Sequence, residues 1–145
     1  SVNLDGVLNT VWPAIHAMRP RNHGQLAILS SIAGFRGMPG APAYSASKAA
    51  VLNYGDALRG MLADDGITVS VICPGYVVSR ITDANKFPMP FLMSAVKAAR
   101  IIKRRLARGK ARIVFPWPML WIVRMLQALP VVFTDPLLAR LPKKD

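Results

Sequence analysis

The spacing of hydrophobic residues changes repeatedly along this chain, from helical intervals to short continuous runs and back, and that alternation restricts the fold to few architectures. Leu4, Leu8, Val11, Ile15 and Met18 lie three and four apart, the period of an amphipathic helix. Pro13 crosses this helix and predicts a bend, and Pro20 and Asn22 before Gly24 predict its end. Gln25 to Ser30 is short and mostly apolar, as expected of a strand buried on both faces of a parallel sheet. After a Gly- and Pro-rich loop from Gly34 to Pro42, helical spacing returns from Tyr44 to about Ala63, with Val51, Tyr54, Leu58, Met61 and Leu62 on one side. Asp64, Asp65 and Gly66 are its stop. Ile67 to Cys73, rich in β-branched residues, is the next predicted strand, halted by Pro74 and Gly75. Met93 to Arg108 predicts a third helix, Ala111 to Phe115 a third strand, and Met119 to Leu129 a fourth helix.

Strands separated by helices of this length imply right-handed crossovers and a parallel sheet with helices on both faces, an α/β architecture. Three strands make a poor sheet alone, and a doubly wound sheet has two halves, so the expectation is the C-terminal half of a larger fold. The start SVNLDGVLNT agrees: it lacks Met, carries no basic region followed by an apolar core, and reads as a sequence entered midway. With 145 residues and 52% hydrophobic content, one structural unit is expected. A single cysteine, Cys73, cannot form an internal disulfide, which points to a reducing compartment, the cytoplasm.

Chemistry is concentrated in the stretch SSIAGFRGMPGAPAYSASKAA, which starts at Ser30. Tyr44 and Lys48 stand four apart at a helix start, on one face and within mutual reach. A tyrosine serves as a base near neutrality only beside a cation, and one ammonium about 4 Å away supplies roughly 4 kcal/mol at an effective dielectric of about 20. Ser31 follows the apolar strand, at the carboxyl end where parallel sheets bind ligands.

Tyr44-Ser45-Ala46-Ser47-Lys48, the preceding Ser31 and the later Pro74-Gly75 together resemble the classical short-chain dehydrogenase/reductase family, with a similarity running from about Asn3 to Ser79. The resemblance implies a Rossmann-like fold, NAD or NADP as cofactor, and hydride transfer between nicotinamide and a carbonyl or secondary alcohol. It gives Tyr44 the role of general acid/base, Ser31 that of hydrogen-bonding the reacting oxygen, and Lys48 those of favouring the phenolate and holding the nicotinamide ribose. Asn3, in Val2-Asn3-Leu4-Asp5-Gly6, takes the place of an asparagine that positions a relay water. The segment Pro74-Gly75-Tyr76-Val77-Val78-Ser79 closes over the nicotinamide, with Ser79 where a threonine is usual, so Tyr44, Lys48, Pro74, Gly75, Val77 and Ser79 are the implied cofactor contacts. Residues 1–115 are then the catalytic half and 116–145 a C-terminal apolar and basic helical tail of the same domain. The first helix and the tyrosine helix are the implied homo-oligomer interface. The family's glycine-rich phosphate turn and its asparagine-alanine-glycine segment do not occur here, so this chain alone is expected to bind dinucleotide poorly and to show no turnover. Gly34, Gly37 and Gly40 lack the G-x-G pair of a phosphate loop and are read as a flexible rim of the substrate site.

The formal charge of +12 raises nucleic acid or anionic membrane as a partner. Eight of the 19 cations lie between Lys97 and Arg112, with Lys97, Arg100, Arg104 and Arg108 on one helical face. That segment has no aromatic residue for stacking on bases, which argues against nucleic acid and for a solvated face. Trp117, Trp121 and the aliphatic residues around them offer a peripheral membrane contact, but the reading favoured is a cover over the substrate cleft or an oligomer contact. Pro116, Pro118, Arg124, Gln127 and Pro130 argue against a spanning helix. This apolar tail also suggests a hydrophobic substrate. The alternative function is a non-catalytic fragment or pseudoenzyme that binds membrane or a partner through this basic, Trp-rich tail. His16 and His23 have no ligand-spaced partners, so no metal site is expected, and Cys73 is read as a buried apolar residue.

Overall fold

A computed structural model describes residues 2–83 and 88–139. Helix α1, Val2–Met18, leads through a short 3-10 turn into strand β1, Gly24–Leu29; helix α2, Pro42–Met61, then leads to strand β2, Ile67–Pro74. A one-turn helix α3, Arg80–Asp83, precedes α4, Ala95–Leu106; strand β3, Arg112–Phe115, is followed by α5, Trp117–Ala128, and α6, Val131–Leu138. The three strands form one parallel sheet in the order β1-β2-β3, with Gly24 opposite Ile67 and Ile72 opposite Ile113.

Residue parity shows that both faces carry helices. Leu26 and Ile28 of β1 and Ile67 and Val69 of β2 join Val11, Ile15, Val51 and Leu58 of α1 and α2 in one buried cluster. Ile72, Ile113 and Phe115, pointing the other way, pack with Ala98 of α4. Because successive side chains of a strand alternate faces, β2 is buried on both. Strand β1 is not: Leu26 and Ile28 are buried, whereas Gln25, Ala27 and Leu29 are exposed. The expectation of a strand buried on both faces is corrected here, because α4 packs on β2 and β3 and reaches β1 through one hydrogen bond, from the Gln25 amide to the Leu106 carbonyl at 2.8 Å.

Other boundaries depart from the periodic reading for local reasons. Helix α1 remains helical through Pro13. Helix α2 opens at Pro42, two residues before Tyr44, because proline at the first helical position loses nothing there. Met93 does not begin α4 but forms a parallel bridge to Val77; Ser94 is the cap, its hydroxyl accepting from the Lys97 N–H at 3.3 Å. Gly66 ends the α2 segment with φ +62°, and a Cβ there would lie 2.1 Å from the Asn22 carbonyl oxygen, so only glycine fits. Helix α6 lies within the expected helical tail of 116–145 but was not delimited there; Pro130 caps it and Pro136 lies inside, and it is apolar with little periodicity. Residues 140–145 of the expected tail lie outside the described residues.

Candidate active site

The carboxyl ends of β1 and β2 gather the candidate residues. Ser31 directly follows β1 and has extended backbone, φ −160° and ψ 159°. Its hydroxyl accepts from the Ala33 N–H at 3.2 Å, capping the 3-10 turn Ile32–Gly34, and donates to the Pro74 carbonyl at 3.5 Å. The serine and the Pro74-Gly75 turn are thereby brought together.

Helix α2 supplies Tyr44 and Lys48 one turn apart. The Lys48 ammonium lies 5.7 Å from the centre of the Tyr44 ring and donates to the Leu29 carbonyl at 3.3 Å, at the last residue of β1. Partial burial pushes this ammonium below the ordinary lysine value. The Tyr44 ring is 43% exposed, open to a ligand. Asn3 approaches from α1: its amide donates to the Ser47 hydroxyl at 3.5 Å, and that hydroxyl donates to the Tyr44 carbonyl at 2.8 Å. Its side chain therefore ends at the helical turn that carries the tyrosine.

Beyond β2 the chain is pinned on several sides. The Gly75 N–H donates to the Phe115 carbonyl at 2.7 Å, and a Cβ on Gly75 would sit 2.9 Å from the Met119 sulfur. Val77 is held by its bridge to Met93. Ser79 starts α3, its N–H donating to the Thr82 hydroxyl at 2.7 Å. Burial pushes the nearby Tyr76 phenol above its ordinary value.

Ser30 and Arg36 were given no role in the sequence reading, and Gly34 was given a different one. Ser30, buried beside Ser31, donates to the Lys48 carbonyl at 2.7 Å. The signal was period-two alternation, since Leu26, Ile28 and Ser30 share the inward face and Ser31 does not. Gly34 is not a flexible rim as expected: it is buried, and a Cβ on it would lie 2.7 Å from the Lys48 carbonyl oxygen. Gly37, by contrast, has nothing within 4 Å of such a Cβ. Arg36 donates to the Thr134 hydroxyl at 2.7 Å and pairs with Asp135 at 3.3 Å, tying the serine loop to α6. The Gln127 amide of α5 bonds the Phe35 carbonyl. The inward faces of α5 and α6 thus cover this loop. Between loop and α6 runs a mostly apolar cleft of about 680 Å³, lined by Phe35, Arg36, Met38, Ala46 and Leu138 and next to the Tyr44 turn.

His16 and His23 are exposed, and no cluster of three metal-ligating side chains occurs among the described residues. Cys73 is buried. No helix among the described residues is long and apolar enough to cross a membrane.

Comparison with known proteins agrees with this arrangement. The family model described as short chain dehydrogenase matches residues 1–88. An uncharacterized oxidoreductase of Myxococcus xanthus is 40% identical over 139 residues, covering 96% of this chain and 55% of that protein. A short-chain dehydrogenase from Sphingobium yanoikuyae, solved in complex with NADPH, superposes with a TM-score of 0.76 at 17% identity, covering 99% of this chain and 56% of that one. A short chain dehydrogenase from Burkholderia cenocepacia in complex with NADP gives a TM-score of 0.75 at 25% identity, covering 97% and 57%. The chain spans about half the length of the relatives it matches.

Proposed function

The chain belongs to the short-chain dehydrogenase family, and from that premise we propose that the natural protein is an NAD(P)-dependent oxidoreductase interconverting a carbonyl and a secondary alcohol, with Tyr44 as its general acid/base. The observation that carries this reading is the Lys48 ammonium, anchored to the end of β1 at Leu29 and 5.7 Å from the Tyr44 ring, at the same strand end as Ser31.

The donor set fits the nicotinamide end of a dinucleotide. Lys48 has three N–H donors and one is directed at Leu29, which leaves donors for ribose hydroxyls. Tyr44, Lys48 and the segment of Pro74, Gly75, Val77 and Ser79 are the residues that would hold it, and the two solved relatives hold NADPH and NADP. When bound, the cofactor supplies or accepts the hydride. The protein's share is the proton: in the reducing direction Ser31 and Tyr44 hydrogen-bond the substrate oxygen, Tyr44 donates its phenolic proton, and Lys48 with a water held by Asn3 restores it. The N–H and the carbonyl of Ser79 are both bonded to the Thr82 hydroxyl, so its contribution would come from its own hydroxyl. The exposed Phe91, Val78 and Trp117 around these strand ends suit a hydrophobic carbonyl.

Residues 1–115 form the catalytic part in this reading and 116–145 its cover. Exposed Trp12 on α1 and Met61 on α2 agree with a homo-oligomer contact through those helices, and the lone buried Cys73 with a reducing, cytoplasmic setting. The isolated chain, which lacks a glycine-rich phosphate turn, is inactive on this account. The decisive experiment compares the natural full-length protein with Tyr44→Phe on a panel of ketones, aldehydes and secondary alcohols. Turnover should fall by about 10²- to 10⁴-fold with nicotinamide binding retained. Undiminished turnover in the variant would overturn the assignment of Tyr44, and absence of nicotinamide binding in the parent would overturn the reading as a whole.

A further inference from the structure

The Ser31 hydroxyl has one proton to give and two positions that accept. The Ala33 N–H occupies one of these at 3.2 Å, and the Pro74 carbonyl, 3.5 Å away, is at the outer limit of a hydrogen bond, so the 3-10 turn Ile32–Gly34 governs where the proton can point. The near end of this turn is fixed to the sheet, the Ser30 N–H donating to the Ile72 carbonyl at 2.8 Å. Its far end is held by the C-terminal helices. The Phe35 N–H closes the turn on the Ile32 carbonyl at 3.0 Å, and the Phe35 carbonyl accepts from the Gln127 amide of α5. The next residue, Arg36, reaches α6, where the Thr134 hydroxyl accepts at 2.7 Å and the Asp135 carboxylate at 3.3 Å. Thr134 is buried and the Arg36 side chain 19% exposed, whereas that of Asp135 is 69% exposed, so the hydroxyl is the firmer anchor and the ion pair the lesser one. Arg36 and Asp135 both line the cleft between loop and α6, so these bonds cross a gap that packing does not fill.

We infer that Arg36 is a positioning residue for Ser31: it holds the far end of the turn to α6 and so aims the serine hydroxyl. The inference rests on the role proposed above for Ser31, and it makes the tail part of the site's geometry as well as its cover. Arginine suits the place because its planar guanidinium carries several N–H donors, so one group bonds two successive residues of α6. The cofactor side is held separately, Lys48 by the Leu29 carbonyl and Gly75 by the Phe115 carbonyl. Loss of Arg36 therefore disturbs the hydrogen bond to the reacting oxygen and leaves nicotinamide binding alone.

The test is a double-mutant cycle on the natural full-length protein, with kcat and both KM values measured for the parent, Arg36→Ala, Ser31→Ala and the double variant. Arg36→Ala should lower kcat by about 10- to 100-fold, the effect of a small misplacement at a reacting group, with the nicotinamide KM within about twofold of the parent. In the Ser31→Ala background the same substitution should cost less than about threefold, since the group it aims is gone. Arg36→Lys should restore part of the loss. Gln127→Ala, which cuts the Phe35 tie from an exposed side chain, should show the same dependence on Ser31 and carries the cycle if Arg36→Ala does not fold. An equal loss in both backgrounds, no loss at all, or a loss expressed in the nicotinamide KM would overturn the inference. A parent without turnover would overturn the redox reading and this inference with it, whereas a parent whose turnover Tyr44→Phe abolishes keeps the redox reading standing even where the cycle fails.

Discussion

The buried Ser30 hydroxyl donates to the Lys48 main-chain carbonyl at 2.7 Å, across the junction between β1 and α2. One residue later stands Ser31, and one helical turn before Lys48 stands Tyr44, so this bond helps set the spacing of the three residues proposed to carry the chemistry. Lys48 returns the tie through its side chain, which reaches the Leu29 carbonyl. A buried polar pair of this kind contributes about 1 kcal/mol net. Its larger value is geometric, because the strand end and the helix cannot slide past each other without breaking it.

Gly34 closes the same junction from the loop side, and its substitution gives the sharpest packing test. A Cβ there would stand 2.7 Å from the Lys48 carbonyl oxygen and 2.8 Å from its carbon, both backbone atoms that cannot rotate away. Gly34→Ala should cost roughly 1–3 kcal/mol by overpacking. Gly37→Ala, with open space around it, should stay within about 0.5 kcal/mol. Urea midpoints of the two variants decide it, and equal losses would mean that the loop relaxes around Gly34.

What the sequence could reveal followed from the range of the interaction. Helices α1, α2 and α4 and strands β2 and β3 were legible because their periodicity is local and repeated, and Tyr44 and Lys48 because four residues on a helix is one turn. Strand β1 misled because an apolar run does not tell which of its faces a neighbour covers. Helix α6 has no period to read, and its only signal was Pro130 at its start. The ties of Arg36 to Thr134 and of Arg112 to Asp56 join residues 98 and 56 positions apart, and no local pattern marks such partners.

Asp56 is the acid-sensitive point of the fold. Burial alone would raise its carboxyl, but hydrogen bonds from Arg112 and Arg59 and their charges outweigh it and hold the group below its ordinary value of 3.8. Its stabilisation is therefore complete above that value and is lost as pH falls through the lower, folded one. Asp56→Asn should destabilise by about 1–2 kcal/mol at neutral pH, since both pairs are only partly buried. The gap between parent and variant should close in strong acid. Chemical denaturation at a series of pH values measures it, and a gap that widened on acidification would contradict the sign.

Cys73 should be chemically silent in the folded protein. Burial pushes its thiol up to about 12; Arg112 opposes this, Asp56 adds to it, and a hydrogen bond with Ser30 also lowers it. Only a minute thiolate fraction exists at neutral pH, and the group is fully buried. Labelling with a thiol-specific disulfide reagent should wait on unfolding and follow the unfolding rate. Rapid labelling of the folded state would show that the strand end opens locally.

Under the proposed function, Lys48 sets catalysis against stability. Burial lowers its pKa below the ordinary 10.5, so at neutral pH the folded state keeps an ammonium that water would solvate better. Between the lowered value and 10.5 the unfolded chain binds more protons than the folded one, and by linkage the parent gains stability as pH rises through that window. Lys48→Met removes the charge at similar length. Its melting temperature at neutral pH should equal or exceed that of the parent, and the difference should shrink on going alkaline, with other groups titrating alike in both proteins. Turnover of the full-length variant should nevertheless fall steeply, because the phenolate of Tyr44 loses its cation. Melting curves at neutral and alkaline pH beside a turnover assay separate the two effects. A variant less stable than the parent at neutral pH would mean that the bond to the Leu29 carbonyl outweighs desolvation, and that Lys48 serves the fold as well as its proposed role.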